Sequence, residues 1–190
     1  MRVIAGKFRS RPLAAPVGMD TRPTADRLRE TLFNVLTQGA VNRVEDARFL
    51  DLYAGSGAVG IEALSRGASQ AVFVEQGAAA LAVLQKNLAG LGIRAGASVV
   101  KRGVMRYLRE AAGQGVGFGV IFLDPPYDDA EEYAAALEFL GEPGCALLAA
   151  DGMVAAEHRR KQPLAERYGE LLRVRVIEQG DAALSLYLRE

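Results

Sequence analysis

From residue 48 onward the chain repeats one unit, a short apolar run followed by a helical stretch. The runs cover residues 49–53, 71–75, 97–100, 118–123 and 152–157, each mostly apolar, as strands covered on both faces are. Between them lie helical stretches at 59–66, around Leu81, Leu84, Leu88 and Leu91, at 105–112 and at 131–140. Strands joined through helices in one sheet demand right-handed crossovers. The fold class is therefore α/β, a doubly wound, Rossmann-like and mostly parallel sheet that binds ligands at the carboxyl ends of its strands. Residues 171–178 and 183–188 flank Gln179-Gly180-Asp181 and read as an antiparallel hairpin closing one edge.

Ahead of this alternation lies a different segment. Residues 2–17 read as a short hairpin or paired extended arms, with Pro12 and Pro16 unsuited to a central strand. A helix follows, with Thr24 as its N-cap after Pro23 and Leu28, Leu32, Val35 and Leu36 on one face. Residues 1–40 then form an arm and helix packed on a core built by 41–190, one compact unit in all. The chain is neutral, yet its first 29 residues carry Arg2, Lys7, Arg9, Arg11, Arg22, Arg27 and Arg29 against Asp20 and Asp26. Such an arm suits contact with nucleic-acid phosphates, although charge alone equally describes a solvated surface. Arg22, Arg27 and Arg29 surround the helix start, away from its apolar stripe. The run Arg159-Arg160-Lys161 is a weaker second candidate.

One cysteine and one histidine exclude a disulfide framework and a Cys/His metal cluster. Cys145 reads as a small buried hydrophobe and His158 as a structural residue at a strand end. No apolar run is long enough to span a bilayer, and residues 1–7 lack a signal-peptide core. The expectation is a cytoplasmic, metal-free protein, with a monomer as the default.

Two strand ends carry chemistry. After the first strand comes Asp51-Leu52-Tyr53-Ala54-Gly55-Ser56-Gly57-Ala58-Val59-Gly60. Gly55 and Gly57 allow a tight turn and a close ligand approach, and Glu75, twenty residues after Gly55, can accept hydrogen bonds from ribose hydroxyls. With Gly60 these glycines also satisfy a dinucleotide pattern. However, a carboxylate at Asp51 is awkward beside a pyrophosphate and apt for an ammonium or a sulfonium-bearing amino acid. The fourth strand ends in Asp124-Pro125-Pro126-Tyr127. Two prolines halt the strand and leave the Asp124 and Pro125 carbonyls free, next to a carboxylate and an aromatic ring. Acceptors on one side and a flat apolar face on the other suit a planar base with an exocyclic amino group.

These residues resemble the class I S-adenosylmethionine-dependent methyltransferases that act on exocyclic amino groups. The tetrapeptide is shared with adenine-N6 enzymes. The opening Arg2-Val3-Ile4-Ala5-Gly6, the block from Arg22 to Asn34 and the ending Gly180-Asp181-x-x-Leu184-Ser185-Leu186-Tyr187 resemble the bacterial 16S rRNA guanine-N2 methyltransferases. The resemblance implies a seven-stranded sheet with an antiparallel closing strand and S-adenosylmethionine as cofactor. It implies 16S rRNA of the small ribosomal subunit as partner, with the assembled particle expected because a short arm offers little surface for sequence readout. Asp51, Tyr53, Gly55, Gly57 and Glu75 would surround the cofactor. Gly103 and Val104 would lie beside its adenine, where Gly103 offers only backbone. Asp124, Pro125, Pro126 and Tyr127 would hold the target base. An adenine-N6 methyltransferase and a non-catalytic rRNA-binding factor are the alternatives, and a nicotinamide-dependent reductase a more distant one.

Overall fold

β1 (Arg48–Leu52) is the middle of the parallel sheet, flanked by β2 (Gln70–Glu75) and β4 (Phe118–Leu123), with Leu50 opposite both Val72 and Ile121. β3 (Ala97–Lys101) pairs with β2, and β5 (Leu148–Arg159) with β4, both parallel. The computed structural model describes residues 1–15, 23–38, 41–115, 117–125 and 130–190. Crossovers run through α2 (Ala58–Ser65), α3 (Ala78–Gly90), α4 (Val104–Ala112) and α5 (Ala130–Leu140). Because side chains alternate across a strand, Phe49, Phe73, Val120 and Phe122 build one core with Ile61, Leu84 and Leu88. Leu50, Leu52, Val74 and Leu123 build the other with Leu108, Leu137 and Leu140. Winding proceeds outward through β2 and β3 on one side and through β4 and β5 on the other. A crevice opens where it reverses, at the carboxyl ends of β1 and β4.

β7 (Leu171–Gln179) and β8 (Ala182–Arg189) form the expected hairpin, and β8 inserts antiparallel between β5 and β7, with Ala156 opposite Ser185. Among the described residues the sheet has eight strands instead of seven. The addition is β6 (Arg167–Tyr168), two residues paired with the start of β7 and too short to leave an apolar run in the sequence. β5 also begins four residues earlier than its apolar run, across a register shift between the pairs Phe118–Leu148 and Val120–Met153.

The N-terminal segment is a hairpin, in which Val3 N donates to Arg11 O at 3.0 Å, Ser10 N to Val3 O at 2.9 Å and Leu13 N to Met1 O at 3.1 Å. α1 (Pro23–Gln38) already includes Pro23, so Thr24 falls inside its first turn and not at its cap; proline tolerates that position because the first N–H groups have no helical partner. Leu28, Leu32 and Leu36 are buried as expected, and Phe33 joins them, stacked 6.0 Å from Phe49.

The arm is fastened by polar groups on α2 and α3. Glu62 is fully buried and accepts Ile4 N at 2.7 Å, Ala5 N at 3.0 Å and Arg66 Nε at 2.7 Å. Ser65 Oγ accepts Phe8 N at 2.9 Å, and Asn87 pairs with both backbone groups of Ala14 at 2.8 and 3.0 Å. A carboxylate this enclosed is tolerable only while its donors are present. Glu62→Ala would strand two amides and an arginine; we expect a loss of about 3–5 kcal/mol in thermal or denaturant unfolding. Amide exchange should accelerate at Ile4 and Ala5 before the sheet. Unchanged stability with protected amides would show that Glu62 does not hold the arm.

Candidate active site

Asp51, the fourth residue of β1, points toward the start of α2. Gly57 precedes that helix with φ +77°, a left-handed conformation that also leaves no side-chain oxygen to cap it. Asp51 supplies the cap from the neighbouring strand, as Gly60 N donates to its Oδ2 at 2.8 Å. Gly60 permits this closeness, since a Cβ there would lie 2.4 Å from the Phe73 ring. Asp51 is 2% exposed. Burial dominates its titration; the Gly60 hydrogen bond opposes and the Glu75 charge adds, and its carboxyl is pushed up to about 8.

Glu75 closes β2 and braces the same turn. Its Oε2 accepts Gly55 N at 2.8 Å, and its Oε1 accepts Gln76 N and Gly77 N at 2.9 and 2.7 Å. A carboxylate has about four lone-pair sites, so one remains after these three bonds. Tyr53 has φ +60°, rare for a residue with a side chain. Its hydroxyl donates to the Glu132 carboxylate on α5, which ties the β1 turn to the helix after β4. Gly103 precedes α4 in extended conformation, and a Cβ on it would lie 3.2 Å from Gln76 Oε1. Val104 is buried in the second core, which leaves only its backbone for a ligand.

Asp124 follows β4 half-buried, with Pro125 buried behind it; Pro126 and Tyr127 lie outside the described residues. Burial, then the charges of Glu157 and Asp51, raise the Asp124 carboxyl well above the ordinary aspartate range. Tyr133 of α5 is almost fully buried here and donates to Glu157 O at 2.7 Å, with Pro125 O at 3.4 Å. Its phenol is raised by burial, then by the Asp124 and Glu157 charges. Among the described residues, no group of three His, Cys, Asp or Glu side chains is disposed to hold a metal ion.

The structure thus gathers Asp51, Tyr53, Gly55, Gly57, Glu75, Asp124 and Pro125 around one crevice. Sequence reasoning missed Gln76, Glu132, Tyr133 and Glu157. Glu157 carried a usable signal, an acidic residue at a strand end like the other three; Tyr133 and Glu132 carried none, being ordinary helix positions.

The cations divide. Arg2, Lys7, Arg9, Arg11 and Arg27 are exposed, and Arg11 also reaches Gly90 O at 3.1 Å. Arg22 lies outside the described residues. Arg29 departs from expectation. It is one helical turn before Phe33, on the buried face, 6% exposed, and donates to Arg2 O at 2.7 Å and Asp26 Oδ1 at 3.0 Å. Its charge serves the arm's attachment and is not presented to a phosphate. His158 is buried, hydrogen-bonded to Ser185 Oγ at 2.9 Å, and burial lowers its pKa; Cys145 is buried too. Arg159, Arg160 and Lys161 are exposed.

The family described as conserved hypothetical protein 95 matches residues 1–188. The chain belongs to that family. It is 38% identical over 187 residues to “Putative rRNA methyltransferase YlbH” of Bacillus subtilis, a match covering 98% of both chains. It is 45% identical over 128 residues to “Ribosomal RNA small subunit methyltransferase D” of Escherichia coli K12, covering 67% of this chain and 60% of that one. Among solved structures, “Putative methyltransferase yhhF” from Escherichia coli superposes with a TM-score of 0.83 at 36% identity, over 100% of this chain and 98% of that one. The fold of this family member is the Rossmann-like methyltransferase fold, with antiparallel strands at its carboxyl terminus.

Asp51 titrates near 8 folded and near 3.8 unfolded, so between those values the folded state holds the extra proton and loses stability as pH rises. Asp51→Asn keeps an oxygen for Gly60 N without titrating. Its melting temperature relative to wild type should climb from pH 4 to pH 8; a constant offset would mean that Asp51 is not held protonated.

Proposed function

We propose that the protein transfers a methyl group from S-adenosylmethionine to the exocyclic N2 of a guanine in 16S rRNA, acting as a monomer in the cytoplasm. The substrate is the small ribosomal subunit or an intermediate in its assembly. The observation that carries the reading is the half-buried Asp124 at the β1–β4 crevice, followed by the buried Pro125. The relatives' names, rRNA methyltransferases in Bacillus subtilis and Escherichia coli, support the substrate class.

The donor set fits the cofactor. Acceptors at Asp51 and Glu75 flank the small residues Ala54 to Gly57, Glu75 has a lone-pair site to spare, and Gly103 offers backbone alone at the start of α4. Asp51, Tyr53, Gly55, Gly57, Glu75, Gly103 and Val104 would hold it. When bound, S-adenosylmethionine supplies an electrophilic methyl group on a positively charged sulfur.

Guanine N2 is a poor nucleophile because its lone pair is delocalised into the ring. Hydrogen bonds from its two protons to the Asp124 carboxylate and the Pro125 carbonyl would favour a pyramidal nitrogen and aim the lone pair out of the ring plane. As the methyl C–S bond breaks and the new C–N bond forms, one N2 proton must leave, and Asp124 would take it. Its raised pKa makes it a stronger base once ionised. Pro126 and Tyr127 complete the proposed base site, with Tyr127 stacking on a base extruded at a cost of a few kcal/mol. Residues 1–40 would contact RNA through Arg2, Lys7, Arg9, Arg11, Arg22 and Arg27, while 41–190 carry the chemistry.

Small-subunit particles from cells lacking the enzyme, given labelled S-adenosylmethionine, should yield N2-methylguanosine by mass spectrometry of nucleosides. N6-methyladenosine would replace this reading with the adenine-N6 one. Asp124→Ala should lower turnover by about 10²- to 10⁴-fold while cofactor affinity stays near wild type. Turnover that survives this substitution would remove Asp124 from the chemistry.

A further inference from the structure

We infer that Glu157 distinguishes guanine from adenine by accepting the N1–H of the target base. The inference rests on the methyl-transfer reading above and deepens it. The Asp-Pro-Pro-Tyr tetrapeptide is shared with enzymes that act on adenine, so discrimination has to come from outside it. Both bases offer an amino group to Asp124 and Pro125. They differ at the ring nitrogen next to it: guanine N1 carries a proton, and adenine N1 carries a lone pair. The two N2 protons and N1–H make three donors, and the geometry proposed above spends Asp124 and Pro125 on the two N2 protons. A donor left unpaired in an enclosed site is costly.

Glu157 is placed to be the third acceptor. Leu123 and Ala156 are register partners on the adjacent strands β4 and β5, so Asp124, the first residue past β4, lies beside Glu157, which is still within β5 and opposite Leu184 of β8. Alternation puts them on one face, since Phe122 and Ala155, two residues earlier on each strand, share the same core. Glu157 is half-buried, near enough for its charge to act on Asp124 and Tyr133. Tyr133 fixes the spacing. Its single hydroxyl proton goes to Glu157 O at 2.7 Å, leaving Pro125 O, 3.4 Å away, available to a ligand. A carboxylate has several lone-pair sites, so other contacts of Glu157 leave capacity for N1–H. Toward adenine N1 the same carboxylate presents lone pair against lone pair.

The test uses the guanine mapped by mass spectrometry, replaced in reconstituted particles by 2-aminopurine, which keeps the 2-amino group but has an unprotonated N1. Wild type should methylate guanine over 2-aminopurine by ten- to a hundredfold in kcat/KM, roughly the value of one such base contact. Glu157→Gln, whose amide can donate to an unprotonated N1, should narrow or reverse that ratio, and Glu157→Asp should restore it in part. An unchanged ratio in Glu157→Gln overturns the inference, as does a wild type that accepts 2-aminopurine as readily as guanine. Binding by wild type gives a check that needs no variant. Particles with inosine at the site keep N1–H without N2 and should compete with substrate more strongly than 2-aminopurine particles do; equal competition overturns the assignment. Wild type that methylates no guanine defeats the function reading itself, and this inference with it.

Discussion

One hydrogen bond, from Gly60 N to Asp51, organises the site. α2 has only eight residues, too few to persist without help, and its N-terminal glycine contributes no cap. The missing acceptor comes from the middle strand of the sheet, which fixes where the helix starts and therefore the path of the Tyr53–Gly57 turn. The arrangement requires a carboxyl group inside the protein, with Glu75 near enough to raise its pKa further. A neutral side chain of the same shape would suit folding better. A raised pKa on a structural cap is the sort of local cost that functional sites retain.

The other end of α2 does a second job. Glu62 and Ser65 are buried and bind the backbone of residues 4, 5 and 8, so the helix capped by the sheet at its start grips the N-terminal hairpin through its second half. Asn87 adds a third tie, since its Nδ2 donates to Ala14 O at 3.0 Å and to Ser56 O, inside the glycine turn, at 2.9 Å. The arm is therefore not a loose basic tail. Its backbone is registered against the same elements that shape the crevice, and its exposed cations have a defined position relative to Asp124.

Much of this was legible in the residues. The β4 run 118–123 coincides with the observed strand, and the other central strands differ by a residue or two, apart from the longer β5, because buried parallel strands leave dense apolar runs. Asp51, Glu75 and Asp124 were legible because strand-end carboxylates stand out against such runs. Arg29 was not. Helical periodicity put it outside a stripe of aliphatic residues, but Phe33 widens the buried face to include it, and its partners Arg2 O and Asp26 are set by tertiary contact and not by spacing. β6 escaped for the opposite reason, being two residues whose pairing is decided by β7. Glu62 and Asn87 look like ordinary helix polar residues until the arm folds over them.

The charge distribution follows from these placements. A neutral chain has been divided into an arm with exposed Arg2, Lys7, Arg9 and Arg11 and a crevice with Asp51, Glu75, Asp124 and Glu157 toward the carboxyl ends of adjacent strands. Under the proposed function the two halves make different demands of one ligand. The arm attracts the phosphate backbone, an attraction that carries no sequence information. The crevice repels that same backbone and accepts only what brings protons or positive charge, a sulfonium and ammonium on one side and a base edge rich in N–H groups on the other. Asp51 and Asp124, raised by burial and then by neighbouring carboxylates, would be relieved when such a donor arrives. In that reading a polyanion would be drawn to the rim and a single base admitted from it.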